Sequence, residues 1–157
     1  MNIAFFLTPK TEVVYEKVTS TMRQVLERME YHRYTAIPIL DEKGKYIGTL
    51  TEGDLLWKLK DTPSLGFKDT NKISISEVPR RTKIKAVRID SNIEDLISAS
   101  IHQNYIPVVD DNNTFIGIIK RSDIISYCYE RIFQNASVEV WMDLINRIQL
   151  FKVKNKK

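Results

Sequence analysis

One cysteine in 157 residues, Cys128, leaves no partner for an intramolecular disulfide and no thiolate set for a zinc site. Such usage fits a reducing compartment, and a cytoplasmic protein is expected. Long apolar runs are also missing. No window approaches the roughly 20 apolar residues of a membrane helix, and Ile3 to Leu7 lacks the length and positive flank of a secretory signal. The sequons at Asn112 and Asn135 therefore carry no weight. No nucleophile elbow, Walker A loop or pair of histidines at metal spacing appears. His32 and His102 each stand near the end of an expected helix, where a cation complements the dipole. Binding is a better expectation than catalysis, with no metal and no cofactor beyond a bound ligand.

What is present looks globular: 43% hydrophobic and 28% charged residues, with only five glycines and five prolines and no low-complexity segment. The net charge of +4 is mildly basic and mixed in sign along most of the chain. One exception is Arg80, Arg81, Lys83, Lys85 and Arg88, five cations in nine residues. They suit an exposed edge strand kept soluble by charge or the capture of phosphates. No recognition helix or aromatic platform supports nucleic-acid binding, which ranks last.

The organising feature is a duplication. Gly48-Thr49-Leu50-Thr51-Glu52-Gly53-Asp54 returns 69 residues later as Gly117-Ile118-Ile119-Lys120-Arg121-Ser122-Asp123. Pro38, in Ile37-Pro38-Ile39-Leu40-Asp41, returns at the same offset as Pro107, in Ile106-Pro107-Val108-Val109-Asp110. Two landmarks at one spacing mark a repeated unit.

Each unit reads β-α-β-β-α. In the first, Glu12 to Tyr15 is a short strand and Thr19 to Thr21 supply caps. Met22, Val25, Leu26 and Met29 form one helix face. Tyr34 to Leu40 and Tyr46 to Leu50 are strands around a turn in which Gly44 suits positive φ, and a helix carries Leu55, Leu56 and Leu59. The second copy runs through a strand over residues 84–89, a cap at Ser91-Asn92 and a helix with Ile93, Leu96, Ile97 and Ile101. Strands over 105–109 and 114–119 follow, then a helix over 122–133. Its connection from cap to proline is two residues shorter. Neither small sheet can cover both its faces alone, so the halves should pack about a pseudo-twofold axis. The boundaries expected are 1–60 and 73–133 for the repeats, with a polar linker over 61–72. Residues 134–157 would hold a C-terminal helix and a basic tail. Val138, Trp141, Leu144, Ile145, Ile148 and Phe151 lie at helical spacing, either docked on the helix's own repeat or facing a second copy or a protein partner.

The duplicated pattern, hydrophobic-Pro-hydrophobic-hydrophobic-Asp, turn, then Gly-h-h-Thr-x-x-Asp, resembles a tandem CBS domain pair, or Bateman module. The resemblance covers residues 1–133 and is to small stand-alone bacterial CBS proteins. It implies an α+β fold of two β-α-β-β-α repeats about a pseudo-twofold axis, and a non-enzymatic regulatory role. It also implies an adenosine-containing ligand (AMP, ADP, ATP, S-adenosylmethionine or cyclic di-AMP) in the cleft between repeats, and a homodimer. Carried onto this chain, one cleft has Thr51, Gly53 and Asp54 facing Lys83, Ile84, Asn104, Tyr105, Ile106 and Pro107, with Arg80 and Arg81 for phosphates. The other has Lys120, Ser122 and Asp123 facing Glu12, Val13, Tyr34, Thr35, Ala36 and Pro38. Lys120 stands where the family usually has threonine or serine, and Glu12 repels phosphate, so the Thr51/Asp54 cleft is favoured. A ligand-independent dimerisation module is the alternative.

Overall fold

The computed structural model describes residues 2–135 and Met142; the rest of the expected C-terminal helix and its tail lie outside the described residues. Residues 1–121 form one compact unit and residues 122–157 a second.

The first unit opens with a 3-10 helix, Ile3–Phe6, and β1, Thr8–Pro9. The first repeat continues with β2 (Glu16–Lys17), α1 (Met22–His32), β3 (Ala36–Leu40), β4 (Tyr46–Thr51) and α2 (Glu52–Asp61). The second holds β5 (Val87–Arg88), α3 (Ile93–Ser100), β6 (Tyr105–Val109) and β7 (Phe115–Lys120). Capping follows the sequence: Thr21 and Gln24 close a capping box on α1, and the Asn92 side chain accepts from the Asp95 N–H on α3. The shorter second copy appears as a helix of 8 residues against 11 in α1.

The two sheets are near copies. β2 pairs parallel with β3, and β5 with β6; β3/β4 and β6/β7 are antiparallel hairpins. Pro38 faces Thr49 as Pro107 faces Ile118, and both Pro-strands carry an irregularity before their last residue. Across the axis, the Tyr46 N–H donates to the Asn113 carbonyl and the Phe115 N–H to the Gly44 carbonyl, a reciprocal pair at the repeat offset. Beneath it Tyr46 stacks on Phe115 with centroids 6.3 Å apart, flanked by the equivalent Leu40 and Val109. A larger core sits between the first sheet and its helices, built on Met22, Val25, Ile37, Ile39, Leu50 and Leu55, each at most 1% exposed.

Three local expectations shift. The short strands lie at 16–17 and 87–88, not 12–15 and 84–89, because only those residues reach the ends of β3 and β6. Residues 10–12 make a 3-10 turn instead, and Val13 and Tyr15 pack into the axial cluster. The polar stretch after α2 holds a 3-10 helix, Phe67–Lys72, docked on α1. Arg23 lies 4.1 Å from the centre of the Phe67 ring and donates to the Phe67 carbonyl, while Thr70 is fully buried. Third, the sheets are unequal. β1 adds to the outer edge of β7, with Thr8 opposite Ile118 and Pro9 opposite Gly117, giving the order β1-β7-β6-β5 against β2-β3-β4. Proline is acceptable on such an edge, and Gly117 permits it: a Cβ there would collide with the Thr8 carbonyl oxygen.

The helix α4 (Arg121–Asn135) starts at the last residue of the first unit and supplies, apart from Met142, the described part of the second, with Asp123 in its first turn and Arg131 5.3 Å from the centre of the Tyr127 ring. Among the described residues no helix is long and apolar enough to cross a membrane.

Candidate functional site

The difference between the sheets decides where space remains. β7 is covered by β1, whereas among the described residues no strand pairs with the outer edge of β4. Along β4 lies a cleft of about 830 Å³, between the first repeat (Tyr46, Ile47, Gly48, Thr49) and the second (Thr82 to Ala86, Arg88, Val109). The short strands matter too. At equivalent positions before them stand Tyr15 in the first repeat and Ala86 in the second. Tyr15 fills its place, 6.2 Å from Phe115 and capped by the Lys10 ammonium at 5.2 Å. Ala86 fills little, and the cleft lies on its side.

Four cations line this cleft, Arg80, Lys83, Lys85 and Arg88, and no carboxylate is among the described lining residues. Arg88 is held by two hydrogen bonds of 2.9 Å to Asp90. The Arg80 guanidinium lies flat against Gly48, where a Cβ would come within 3.1 Å of it.

Its floor is a chain of hydroxyls joining the repeats. Tyr46 donates to the Ile84 carbonyl at 3.0 Å, which uses its one proton. Thr49 must then donate to Tyr46 at 2.9 Å, and Tyr105 to Thr49 at 2.8 Å. The run is Tyr105, Thr49, Tyr46, Ile84 carbonyl, with every hydroxyl proton spent and only acceptor lone pairs left. Burial pushes the Tyr46 phenol up to about 12, and that of Tyr105 higher still.

The Thr51 and Asp54 pair is assembled next to this cleft. Thr51 is the N-cap of α2, and its Oγ1 accepts from the Asp54 N–H at 3.1 Å. Asp54 Oδ2 accepts from the Thr51 N–H at 2.9 Å and from its hydroxyl at 2.8 Å. Asp54 Oδ1 accepts from the Arg81 N–H at 2.9 Å, and the residue is 2% exposed. Asp54 lines a separate, smaller pocket of about 240 Å³ with Trp57, Asp61, Pro79 and Arg81. Gly53 sits in the same first turn, where an added Cβ would lie 3.7 Å from the Trp57 indole nitrogen.

Of the residues expected for this cleft, Arg80, Lys83 and Ile84 line the larger space, and Tyr105 reaches its floor through Thr49. Asn104, Ile106 and Pro107 do not line it. The Asn104 carbonyl accepts from the Arg121 N–H, and Ile106 and Pro107 are buried in β6. In the other set, Val13 packs in the axial cluster and Glu12 ends an exposed 3-10 turn. Tyr34 is exposed and stacks on His32 at 5.5 Å, and the Thr35 carbonyl accepts from the Glu52 N–H. Ala36 and Pro38 are in β3. Lys120 ends β7 opposite Tyr105. Ser122 and Asp123 belong to the second unit, where the Ser122 hydroxyl donates to Asp123 at 3.2 Å.

Sequence reasoning passed over Tyr46, Gly48, Thr49 and Ala86. A signal was available in how the copies differ: Tyr46 and Thr49 stand where the second repeat has Phe115 and Ile118. Hydroxyls replacing apolar residues at inward strand positions mark the side with polar work to do.

Among the described residues no group of three or more His, Cys, Asp or Glu could hold a metal ion. The chain is 24% identical over 148 residues to the chloroplastic CBS domain-containing protein CBSX1 of Arabidopsis thaliana, covering 79% of this chain and 62% of that one. It spans about three fifths of the length of the curated relatives it matches. Its fold matches Listeria monocytogenes CbpB solved in complex with c-di-AMP, at a TM-score of 0.75 and 17% identity, over 86% of this chain and 100% of that one. It also matches CBSX2 solved in complex with AMP, at a TM-score of 0.66 and 21% identity, over 82% and 96%. The CBS domain profile matches twice, at residues 6–61 and 75–130, one match on each structural repeat. The chain is therefore a member of the CBS domain family, carrying two CBS domains in tandem.

Proposed function

We propose that this protein is a non-enzymatic regulatory module that senses an adenine nucleotide in the cleft along β4 and signals the bound state to a partner protein. The observation that carries the reading is the cleft itself. It is about 830 Å³, within the range of roughly 300–1,000 Å³ usual for small-molecule sites, and it lies between two repeats that a ligand could bridge. Arg80, Lys83 and Lys85 suit phosphates. Tyr46 and Thr49, with their protons committed, accept but do not donate, which suits the amino group of adenine rather than a carbonyl. Relatives of the same fold have been solved with c-di-AMP and with AMP. The module acts as a homodimer in the cytoplasm, and ligand binding biases its partner surface by a coupling of typically 1–3 kcal/mol.

Thermal-shift measurements against AMP, ADP, ATP, S-adenosylmethionine and cyclic di-AMP test this. A ligand at one hundred times its Kd adds about 2.7 kcal/mol, a rise of roughly 5–11 °C for a domain of this size. Ala86→Tyr should abolish that rise by filling the cleft as Tyr15 fills the equivalent place. No stabilisation by any of the five at millimolar concentration would favour a ligand-independent dimerisation module instead.

A further inference from the structure

A carboxylate is a natural acceptor for two ribose hydroxyls, but that of Asp54, expected to face the ligand, is not free. Asp54 is 2% exposed and accepts three hydrogen bonds, two from Thr51 within its own helix cap and one from the backbone of Arg81. The Arg81 contact crosses 27 residues of sequence. It ties the basic segment that enters the second repeat to the first turn of α2. That segment runs between the two pockets: Pro79 lines both, Arg80 lines only the larger and Arg81 only the smaller. Arg80 rests on Gly48 at the β4 edge, and Arg81 turns the other way, onto Asp61 at 2.5 Å and toward the Trp57 ring at 5.8 Å.

We infer that residues 79–81 form a strap, latched by the Arg81 N–H on Asp54, which must lift before a nucleotide can occupy the whole site. The inference rests on the nucleotide reading above and adds its regulation. While the strap is down, Asp54 is walled off from the cation-lined cleft. Lifting it joins the two spaces and exchanges one donor on Asp54 Oδ1, the backbone N–H, for another, a ribose hydroxyl. The exchange is close to even in hydrogen bonds, so the latch can open under modest ligand binding energy. The side-chain contacts that reinforce it are exposed and weak: Arg81 and Asp61 are each more than half exposed. Binding then moves the start of the second repeat relative to α2, a local displacement available for signalling.

Hydrogen exchange on the full chain with and without AMP, ATP and cyclic di-AMP reads the strap directly. Peptides covering residues 79–83 should exchange faster when ligand is bound, while those covering β4 and α2 slow down. A ligand that raises the melting temperature yet slows or leaves unchanged the 79–83 segment overturns the strap and leaves the nucleotide reading standing. If none of the five ligands of the thermal-shift series raises the melting temperature, both fall. A second test isolates the latch hydrogen bond. Arg81→Pro removes the N–H and Arg81→Ala keeps it, while both lose the guanidinium. Arg81→Pro should bind the nucleotide about tenfold more tightly than Arg81→Ala, the worth of one hydrogen bond to a charged acceptor. Equal affinities in the two variants refute the latch.

Discussion

Replacing Asp54 by asparagine changes one oxygen to an NH2 and should cost nearly as much stability as removing the side chain. Oδ2 serves the Thr51 N–H and hydroxyl, and Oδ1 serves the Arg81 N–H. An asparagine has one acceptor oxygen for two backbone donors on opposite sides. Turned toward Thr51, it sets its NH2 against the Arg81 N–H; turned toward Arg81, it sets it against the Thr51 N–H. Either way one backbone donor is stranded in a site that is 2% exposed, at about 1–3 kcal/mol. The bonds that survive lose their charge assistance, which roughly halves them. Together the loss is about 3 kcal/mol. Asp54→Ala keeps the Thr51 N-cap but loses the reciprocal half of the capping box and strands both backbone donors, for a similar total. Urea denaturation of the three proteins without ligand measures this, and the melting temperature should fall by roughly 6–12 °C for each variant. An Asp54→Asn protein within about 1 kcal/mol of the parent would refute the reasoning, because it would mean that the carboxylate does not hold both segments.

The two repeat glycines make a matched pair. Gly48 and Gly117 have similar backbones, φ +147 and +158, so an alanine is strained at both, by about 1–3 kcal/mol. Only at Gly117 must β1 also leave its strand, since the Cβ meets the Thr8 backbone and comes within 2.9 Å of the Leu7 side chain; at Gly48 it meets the movable end of Arg80. Gly117→Ala should thus exceed Gly48→Ala by about 2 kcal/mol in chemical denaturation, through lost pairing and exposure of Ile3 and Phe6. Alkaline pH probes the hydroxyl chain. The Tyr46 phenol is raised in the folded state from 10.0 to about 12, so its contribution is complete below pH 10 and is lost as pH rises through 12. By pH 12 the loss from Tyr46 is about 2 kcal/mol, and Tyr46→Phe should flatten that part of the stability profile.

Much of the fold was legible because duplication removes ambiguity. Pro38 and Pro107, Gly48 and Gly117, and Asp54 and Asp123 fixed register and order together, since an element read in one copy could be checked in the other. The short strands were misplaced because two-residue pairings leave almost no periodic signal, and the docked 3-10 helix at Phe67–Lys72 was hidden by its polar composition. Of the site, Arg80, Lys83 and Ile84 were legible from charge and motif. Thr49 and Tyr46 were not, because their role depends on Ile84 and Tyr105 arriving from the other repeat.

Sequence alone determined that this is a tandem repeat, which residues begin each helix, and where cations gather, since these follow from local chemistry and a constant offset. Tertiary structure decided which half stays open. Among the described residues β1 covers the edge of β7 while no strand covers β4, and Tyr15 fills a space that Ala86 leaves empty. Neither outcome is local, because each depends on which distant segment packs against the strand in the folded chain. The motif at Gly48 to Asp54 shows the same division: its helix cap could be read along the chain, but the hold of Asp54 on Arg81 exists only where two repeats meet.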